Sequence, residues 1–555
     1  MKIKVSELIV RYLERLGVDT IFGMPGAHVL PIYDALYDSK IEAVLAKHEQ
    51  GAAFMAGGYA KSSEKVSACI ATAGPGATNL ITGIANAYAD KQPVLVITGE
   101  APTYIFGKGG LQESSGEGGS LDQVALFKHI TRYSKSIERV DYLPQVLTQT
   151  TKALLESNPG PVLLSIPFNV QSELVDEEIL DELSFNLPHA PVSLTSDLVS
   201  SILELLNEAN HPVIVAGYGT IRSGAQQALS ELSNLLNIPV ASSLKAKGVI
   251  NERSDLSLGS LGVTSNGVAY QYIRENADLL IVLGASFNER TSYVWDKSLL
   301  GNLKIIQIDQ AAHQLGKVLN TDLAICGDIS QILETLLNVL KDQKSGHSGT
   351  PKIEQSINQL KSTSDNGYTI FKSGFSLIET FYKELSARFS DEIRVFDDNI
   401  IFAQNFYDVA NHHHYHPNAG ISSLGHAIPA AIGAQFTEIL PSFAILGDGG
   451  FQMCCMEIMT AVNYNKPLNI VMFNNGTMGL IRKNQHQLYD KRFINCDFVN
   501  PDYHHLAQSF GIQYKQITNI DQLADLFENQ DLRQSINLID IAIDKNAFPN
   551  YSSKR

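Results

Sequence analysis

The chain has 555 residues, 44% of them hydrophobic and 18% charged, a balance that supports large packed cores and suggests three or four domains. Its formal net charge of −16 argues against an electrostatic nucleic-acid binder, so no nucleic-acid partner is expected. No apolar run reaches the roughly 18 residues that span a bilayer, and the N-terminal residues form no continuous signal-peptide core, so no membrane partner is expected either.

The first predicted helix begins near Ser6, which can cap it; Ile9, Leu13 and Leu16 form its apolar stripe, and Gly17 ends it. Short apolar runs ending in Gly or Asp, each followed by a helical segment, then recur at 66–74, 93–99, 161–167, 212–219, 279–286, 304–309, 443–450 and 468–475. Runs apolar on both faces suit parallel strands covered by helices on both sides. The alternation predicts an α/β fold of doubly wound parallel sheets. Two weakly periodic stretches interrupt it, an acidic one from about Ser172 to Pro191 and a polar, linker-like one from Lys341 to about Tyr368. Three parallel-sheet domains are therefore expected, over residues 1–175, 190–342 and 366–549, with no short internal repeat. The run His412-His413-His414 lies in a polar loop, where adjacent residues cannot all face one ion without unusual backbone geometry, so no metal is expected there. Five cysteines (Cys69, Cys326, Cys454, Cys455 and Cys496), odd in number and without CxxC spacing, read as free thiols of a reducing cytoplasm.

The sharpest motif comes late in the chain. Gly447-Asp448-Gly449-Gly450 ends one apolar run, and Asn474-Asn475 ends the next. Open α/β sheets place ligands at such strand ends. Glycines admit phosphate oxygens to backbone N–H groups. Asp448, Asn475 and the backbone carbonyl of Thr477 offer hard oxygens of the kind Mg2+ prefers. A lone Gly-Asp-Gly is a common tight turn; paired with the Asn-Asn, each after a buried run, it reads as a metal–diphosphate site.

This pattern resembles the signature of thiamine-diphosphate enzymes, and the likeness covers nearly the whole chain. It takes in Lys47-His48-Glu49-Gln50-Gly51, Ala73-Gly74-Pro75-Gly76-Ala77-Thr78-Asn79, Leu111-Gln112-Glu113, Pro429-Ala430-Ala431-Ile432-Gly433-Ala434 and Asn500-Pro501-Asp502. Together these look most like the acetolactate synthase (acetohydroxyacid synthase) large-subunit family. The resemblance implies a pyrimidine-binding, a central and a diphosphate-binding domain, in that order. It implies that Glu49 hydrogen-bonds N1′ of the aminopyrimidine and so promotes loss of the thiazolium C2 proton. Pro25, Gly26, Pro75, Asn79, Gly447, Gly449, Gly450 and Met478 are implied as further cofactor contacts. Leu424 matches the apolar wedge that bends the cofactor, a position that reads equally as core. In the family, Glu49 and Asp448 would meet across a subunit interface, which implies a homodimer or homotetramer; a small regulatory subunit is a further family partner.

The implied reaction decarboxylates pyruvate and joins the two-carbon unit to a second 2-keto acid or aldehyde, as in branched-chain amino-acid biosynthesis. Gln112 matches an active-site glutamine, and Arg290 an arginine that recognises the acceptor's carboxylate, which a guanidinium fits bidentately. A solvated surface arginine is the other reading. Several residues depart from the family pattern. Ser286 replaces an arginine associated with FAD, so FAD in the central domain is an open expectation, and Gly217-Tyr218-Gly219 is only a short nucleotide-like turn. Asn484 replaces a substrate-selecting tryptophan. His28, in Pro25-Gly26-Ala27-His28, resembles benzaldehyde lyase at this place and reads equally as a proton relay or a structural imidazole. The residues after Asp544 leave little for a C-terminal lid. A benzaldehyde-lyase-like or dione-cleaving enzyme is thus the alternative, and a non-catalytic cofactor-binding homologue a third reading.

Overall fold

All eight apolar runs are strands in the computed structural model, which describes residues 1–185, 194–301, 303–342, 357, 360, 361, 370, 371, 373–389 and 392–551. They form the buried middles of three six-stranded sheets. Across the first sheet the strands run Glu42–Leu45, Thr20–Gly23, Ser67–Ala71, Val94–Glu100, Val162–Pro167 and Tyr133–Ser136, every neighbouring pair parallel. The third sheet repeats that order with Tyr415–Pro417, Arg394–Asp397, Ser442–Gly447, Leu468–Asn474, Ile536–Ala542 and Gln513–Ile517. The central sheet differs: Ser257–Ser260, Val240–Ser242, Pro212–Ala216, Leu279–Leu283, Lys304–Asp309 and Leu323–Cys326 follow the dinucleotide-fold order, reversing beside its first strand. No helix among the described residues is long and apolar enough to cross a membrane.

Two local expectations fail for the same reason. The first helix spans Val5–Arg15, so Ser6 lies buried inside its first turn and does not cap it. A short antiparallel pairing of Lys2–Lys4 with Leu174–Asp176 brings the Glu173 carbonyl to the Val5 N–H at 2.9 Å, which satisfies that donor without a side chain. The acidic stretch thus begins as part of the first domain, with Leu180 and Leu183 buried in its core. Residues 186–193 of that stretch, and most of the polar stretch from Lys341 to Tyr368, lie outside the described residues.

The first and third domains share one core. The helix Glu49–Ser63, rich in Ala and Gly, lies against Ala427–Ala434, and Phe22, Met55, Ile428, Phe436 and Phe451 belong to a single buried cluster. Glycines permit the crossing. A Cβ on Gly58 would fall on the Ala430 carbonyl oxygen, and one on Gly433 on that of Met55. By contrast, a Cβ on the neighbouring Gly57 would meet nothing within 4 Å. Gly58→Ala should therefore destabilise the protein by about 1–3 kcal/mol through overpacking. Gly57→Ala should be neutral or stabilising by up to about 1 kcal/mol, because it removes a mid-helix glycine. Urea denaturation of the two variants checks this, and equal effects would rule out the close crossing.

Candidate active site

The end of the strand Ser442–Gly447 passes directly into the helix Asp448–Cys454, and the adjacent, parallel strand Leu468–Asn474 delivers Asn475 beside it. Asp448 is 1% exposed. Its Oδ1 accepts from Gly449 N at 3.0 Å, and its Oδ2 from Asn475 N at 3.3 Å, Gly476 N at 2.6 Å and Asn500 Nδ2 at 2.9 Å. All these partners are N–H donors and none carries a charge. Asn475 Oδ1 accepts from Thr477 N at 3.2 Å, and the Thr477 hydroxyl donates to the Cys496 carbonyl at 2.8 Å, which among the described residues leaves the Thr477 carbonyl as that residue's uncommitted oxygen. Met478 closes over the same turn: its Sδ lies 2.7 Å from where a Cβ on Gly449 would stand, so a side chain there would have to displace the Met478 thioether. Asn500, quoted above only as part of a motif, is held by Gln452 at 2.8 Å and Tyr503 at 2.9 Å.

A second acid sets the facing loop. Asp398 Oδ2 accepts from the backbone N–H groups of Gly425, His426 and Ala427 at 3.1, 3.0 and 3.2 Å. This fastens the residues next to Leu424, whose side chain stays 41% exposed beside the Asp448 helix. The His426 ring then packs edge-on against Phe54 of the helix Glu49–Ser63, with centroids 5.3 Å apart. Sequence reasoning missed Asp398, although Asp397-Asp398 after an apolar strand repeats the pattern that revealed Asp448.

Glu49 is the first residue of its helix, with His48 as the cap. Asn79 Nδ2 donates to Glu49 Oε2 at 2.9 Å. The approach to Glu49 is held from the third domain. Buried Glu457 accepts from Lys47 N at 3.1 Å and His48 N at 2.9 Å, and from the Thr460 hydroxyl at 2.9 Å. Gly51 is glycine because a Cβ there would fall on the Glu457 carboxylate. Glu457 had no local signal, since its partners lie far away in sequence. Among the described residues no hydrogen bond joins Glu49 to Asp448 within one chain.

Beside this end, Pro25 is exposed, and a Cβ on Gly26 would crowd Thr72 at 2.6 Å. His28 Nδ1 lies 3.4 Å from Thr72 Oγ1, which donates to Gln112 Oε1 at 3.2 Å. His28 and Gln112 are thus brought together through Thr72, a residue the sequence reading did not single out. Burial lowers the His28 pKa, with a hydrogen bond to Gln112 opposing it. Gln112 itself has φ +54°, an uncommon left-handed conformation for a non-glycine residue. Pro75 is exposed at the first position of the helix Pro75–Ala89.

The remaining two predicted residues converge through the chain's last described segment. Lys483, in the helix Gly479–Leu488, is fully buried, its Nζ 3.5 Å from Asn484 Oδ1 and 3.6 Å from the ring centre of Tyr551. Burial pushes the Lys483 ammonium down to about 8. Burial likewise raises Tyr551, and the positive charge of Arg290 opposes that rise. Arg290 Nη1 is buried without a partner among the described residues. The short tail is therefore not idle: Arg482 donates to Asn546 at 3.2 Å, and Phe548 packs on His486 at 4.7 Å.

In the central domain, the ends of its first, fourth and fifth strands border a crevice of about 500 Å³, with Gly217, Gly219 and Gly284 backbone in close contact and Arg222, Asp309 and Lys317 among its walls.

Comparison with known proteins agrees with this architecture. Residues 3–126 match the thiamine pyrophosphate enzyme N-terminal TPP binding domain, 199–336 the central domain, and 399–541 the C-terminal TPP binding domain. The chain is 32% identical to the probable acetolactate synthase large subunit of Methanococcus aeolicus, over 97% of this chain and 92% of that protein. It is also 32% identical to the acetolactate synthase large subunits of Lactococcus lactis (94% and 89% covered) and Corynebacterium glutamicum (93% and 83% covered). The three domains are those of a thiamine-pyrophosphate-dependent enzyme. Within that class, the chain belongs to the acetolactate synthase large-subunit family.

The acid pair below the Leu424 loop has a testable pH signature. Burial raises Asp397 from 3.8 to about 7, with the Tyr415 hydroxyl at 2.9 Å opposing it. The folded state thus keeps a proton that the unfolded chain releases. This contribution is complete below about pH 4 and is lost as pH rises through about 7. Asp397→Asn should flatten the fall of stability across that window in urea titrations at several pH values. An unchanged slope would mean that Asp397 ionises in place.

Proposed function

We propose that this carboligase takes pyruvate as donor and a second 2-keto acid or an aldehyde as acceptor, with thiamine diphosphate anchored through Mg2+ on Asp448, Asn475 and the Thr477 carbonyl. The observation that carries the reading is the buried Asp448 carboxylate, surrounded by N–H donors and, among the described residues, paired with no cation. This donor set of hard oxygens suits Mg2+ bridging to phosphate. When bound, thiamine diphosphate supplies a nucleophilic carbon and an electron sink.

The chain's own groups divide the remaining work. The Gly447–Gly450 turn opens the helix Asp448–Cys454, where the Gly450 N–H would receive a phosphate oxygen and the bare Gly447 and Gly449 would let it approach. Glu49, with Oε2 fixed by Asn79, has Oε1 left to share a proton with N1′ of the aminopyrimidine. Leu424 and Met478 give the bound cofactor apolar support, and Pro25, Gly26 and Pro75 border its pyrimidine end. Arg290, with an unpartnered buried N–H, would hold the acceptor carboxylate, while Asn484 offers the acceptor a polar wall in place of an indole.

Assembly as a homodimer or homotetramer is supported by apolar side chains left open around the Asp448 helix. Met453 and Met456 are each 58% exposed. In such an assembly Glu49 of one subunit would serve Asp448 of the other. The relatives are named large subunits, which supports a small regulatory partner. The five free thiols suit a reducing cytoplasm, and the product class suits branched-chain amino-acid biosynthesis. The central crevice has the size and charge for a nucleotide, FAD included, although Ser286 offers no cation there.

A second reading, a benzaldehyde-lyase-like or dione-cleaving enzyme, draws support from the His28–Thr72–Gln112 chain, because burial keeps His28 neutral and able to accept a proton.

Supplied with pyruvate alone, the enzyme should release carbon dioxide and form acetolactate. Carbon dioxide without acetolactate would favour the second reading. Glu49→Gln should lower kcat by about 10²- to 10⁴-fold and slow hydrogen–deuterium exchange at cofactor C2, while thiamine diphosphate still binds. Exchange at the parent rate would remove Glu49 from its role. A flavin absorbance band in the purified protein would assign the crevice to FAD.

A further inference from the structure

A second cluster of metal-ligating side chains lies at the opposite end of the Glu49 helix. Glu64, the residue that ends this helix with φ +57°, meets the short turn His412–His414 of the third domain. One ligand atom each from Glu64, His412 and His413 lie within 4.8 Å of one another. His412 Nε2 is 3.6 Å from Glu64 Oε1, and the His412 and His413 rings are 3.7 Å apart. The backbone objection raised from the sequence is met by the turn itself. Asn411 Oδ1 accepts from His413 N at 3.1 Å, and tight packing of Gly248 against Asn411 fixes the turn from the central domain.

A second observation points to a ligand. Glu64, His412 and His413 line a cavity of about 740 Å³ where all three domains meet, and His416 lines it too. His416 is 9% exposed, and its Nε2 has no hydrogen-bond partner among the described residues. The cations on the cavity wall are partly neutralised, since Lys61 and Lys245 each pair with Asp90 at 2.6 Å.

We propose that Glu64, His412 and His413 form a site for a divalent cation of the zinc class, joining the end of the Glu49 helix to the third domain. Two imidazoles and one carboxylate are a zinc-type donor set with a fourth position open to the cavity. Tetrahedral zinc holds such ligands about 3.3 Å apart, so side chains whose ligand atoms lie within 4.8 Å must close by up to about 1.5 Å. Glu64 is free to do so, with its side chain 60% exposed. The site stands roughly 22 Å along the helix from Glu49, so the ion ties domains together and takes no part in the carboligation.

The test is Zn2+ titration of the holoenzyme, kept in Mg2+ and thiamine diphosphate, by calorimetry and thermal melting. One Zn2+ per chain should bind and raise Tm. His412→Ala/His413→Ala should abolish this, and Glu64→Gln should weaken it by at least about 10-fold. Unchanged stoichiometry and affinity in the double variant, or no binding by the parent, would overturn the proposal. Should the double variant fail to fold, the parent's Co2+ spectrum decides. Bands of a nitrogen–oxygen tetrahedral site that disappear in Glu64→Gln support it, whereas a sulfur charge-transfer band would assign the ion to a cysteine and refute it.

Discussion

One carboxylate ties the start of the Glu49 helix to the third domain. Glu457 belongs to the domain that carries Asp448, yet its oxygens take the backbone N–H groups of Lys47 and His48, immediately before Glu49. Burial raises its pKa, and the N–H and hydroxyl donors around it offset that cost. The bond acts on main chain, so it fixes the start of the helix rather than one rotamer. Further along, Gly58 and Gly433 let the same helix settle against Ala427–Ala434. Glu49 is therefore placed by a rigid rod that the third domain holds at its start and along its length.

The repeated strand order of the first and third domains gives this contact its logic. Both place the polar side chains of the candidate site just past the carboxyl ends of their strands: Thr72 after Ser67–Ala71, Asp398 after Arg394–Asp397, Asp448 after Ser442–Gly447 and Asn475 after Leu468–Asn474. The central sheet, with its different order, presents a nucleotide-type crevice at its own point of reversal. One architecture is thus used twice, in the two domains that match thiamine-pyrophosphate-binding models, and a variant of it once more between them.

How much of this could be read from the chain depended on where each signal lies. Inner strands are buried on both faces and read as unbroken apolar runs, so all eight predicted strands were legible. Edge strands such as Glu42–Leu45, Tyr133–Ser136 and Gln513–Ile517 are largely exposed and carry no such run. The Asp448–Asn475 pair was legible because glycine and asparagine cluster at adjacent strand ends. Glu457, Thr72 and Asn500 were not, because each is a single polar residue whose partners come from remote segments. The misplaced helix cap at Ser6 has the same origin: Glu173 supplies the partner from far along the chain.

The same limit explains why membership of the family was plain while the acceptor was not. Asp448 and its partners come from neighbouring strands of one sheet, so the motif survives as a local pattern. The acceptor side proposed above would be assembled from Arg290 of the central domain, Asn484 and Lys483 of a third-domain helix, and Tyr551 near the end of the chain. Those segments are anchored separately, by the Arg482–Asn546 bond and the stacking of Phe548 on His486. A buried ammonium that titrates near 8 beside Asn484 also makes this wall's charge depend on pH. On that proposal specificity would rest on the relative positions of three segments, and a change at any one of them would alter the space and charge presented to a carbonyl acceptor without touching the Asp448 motif.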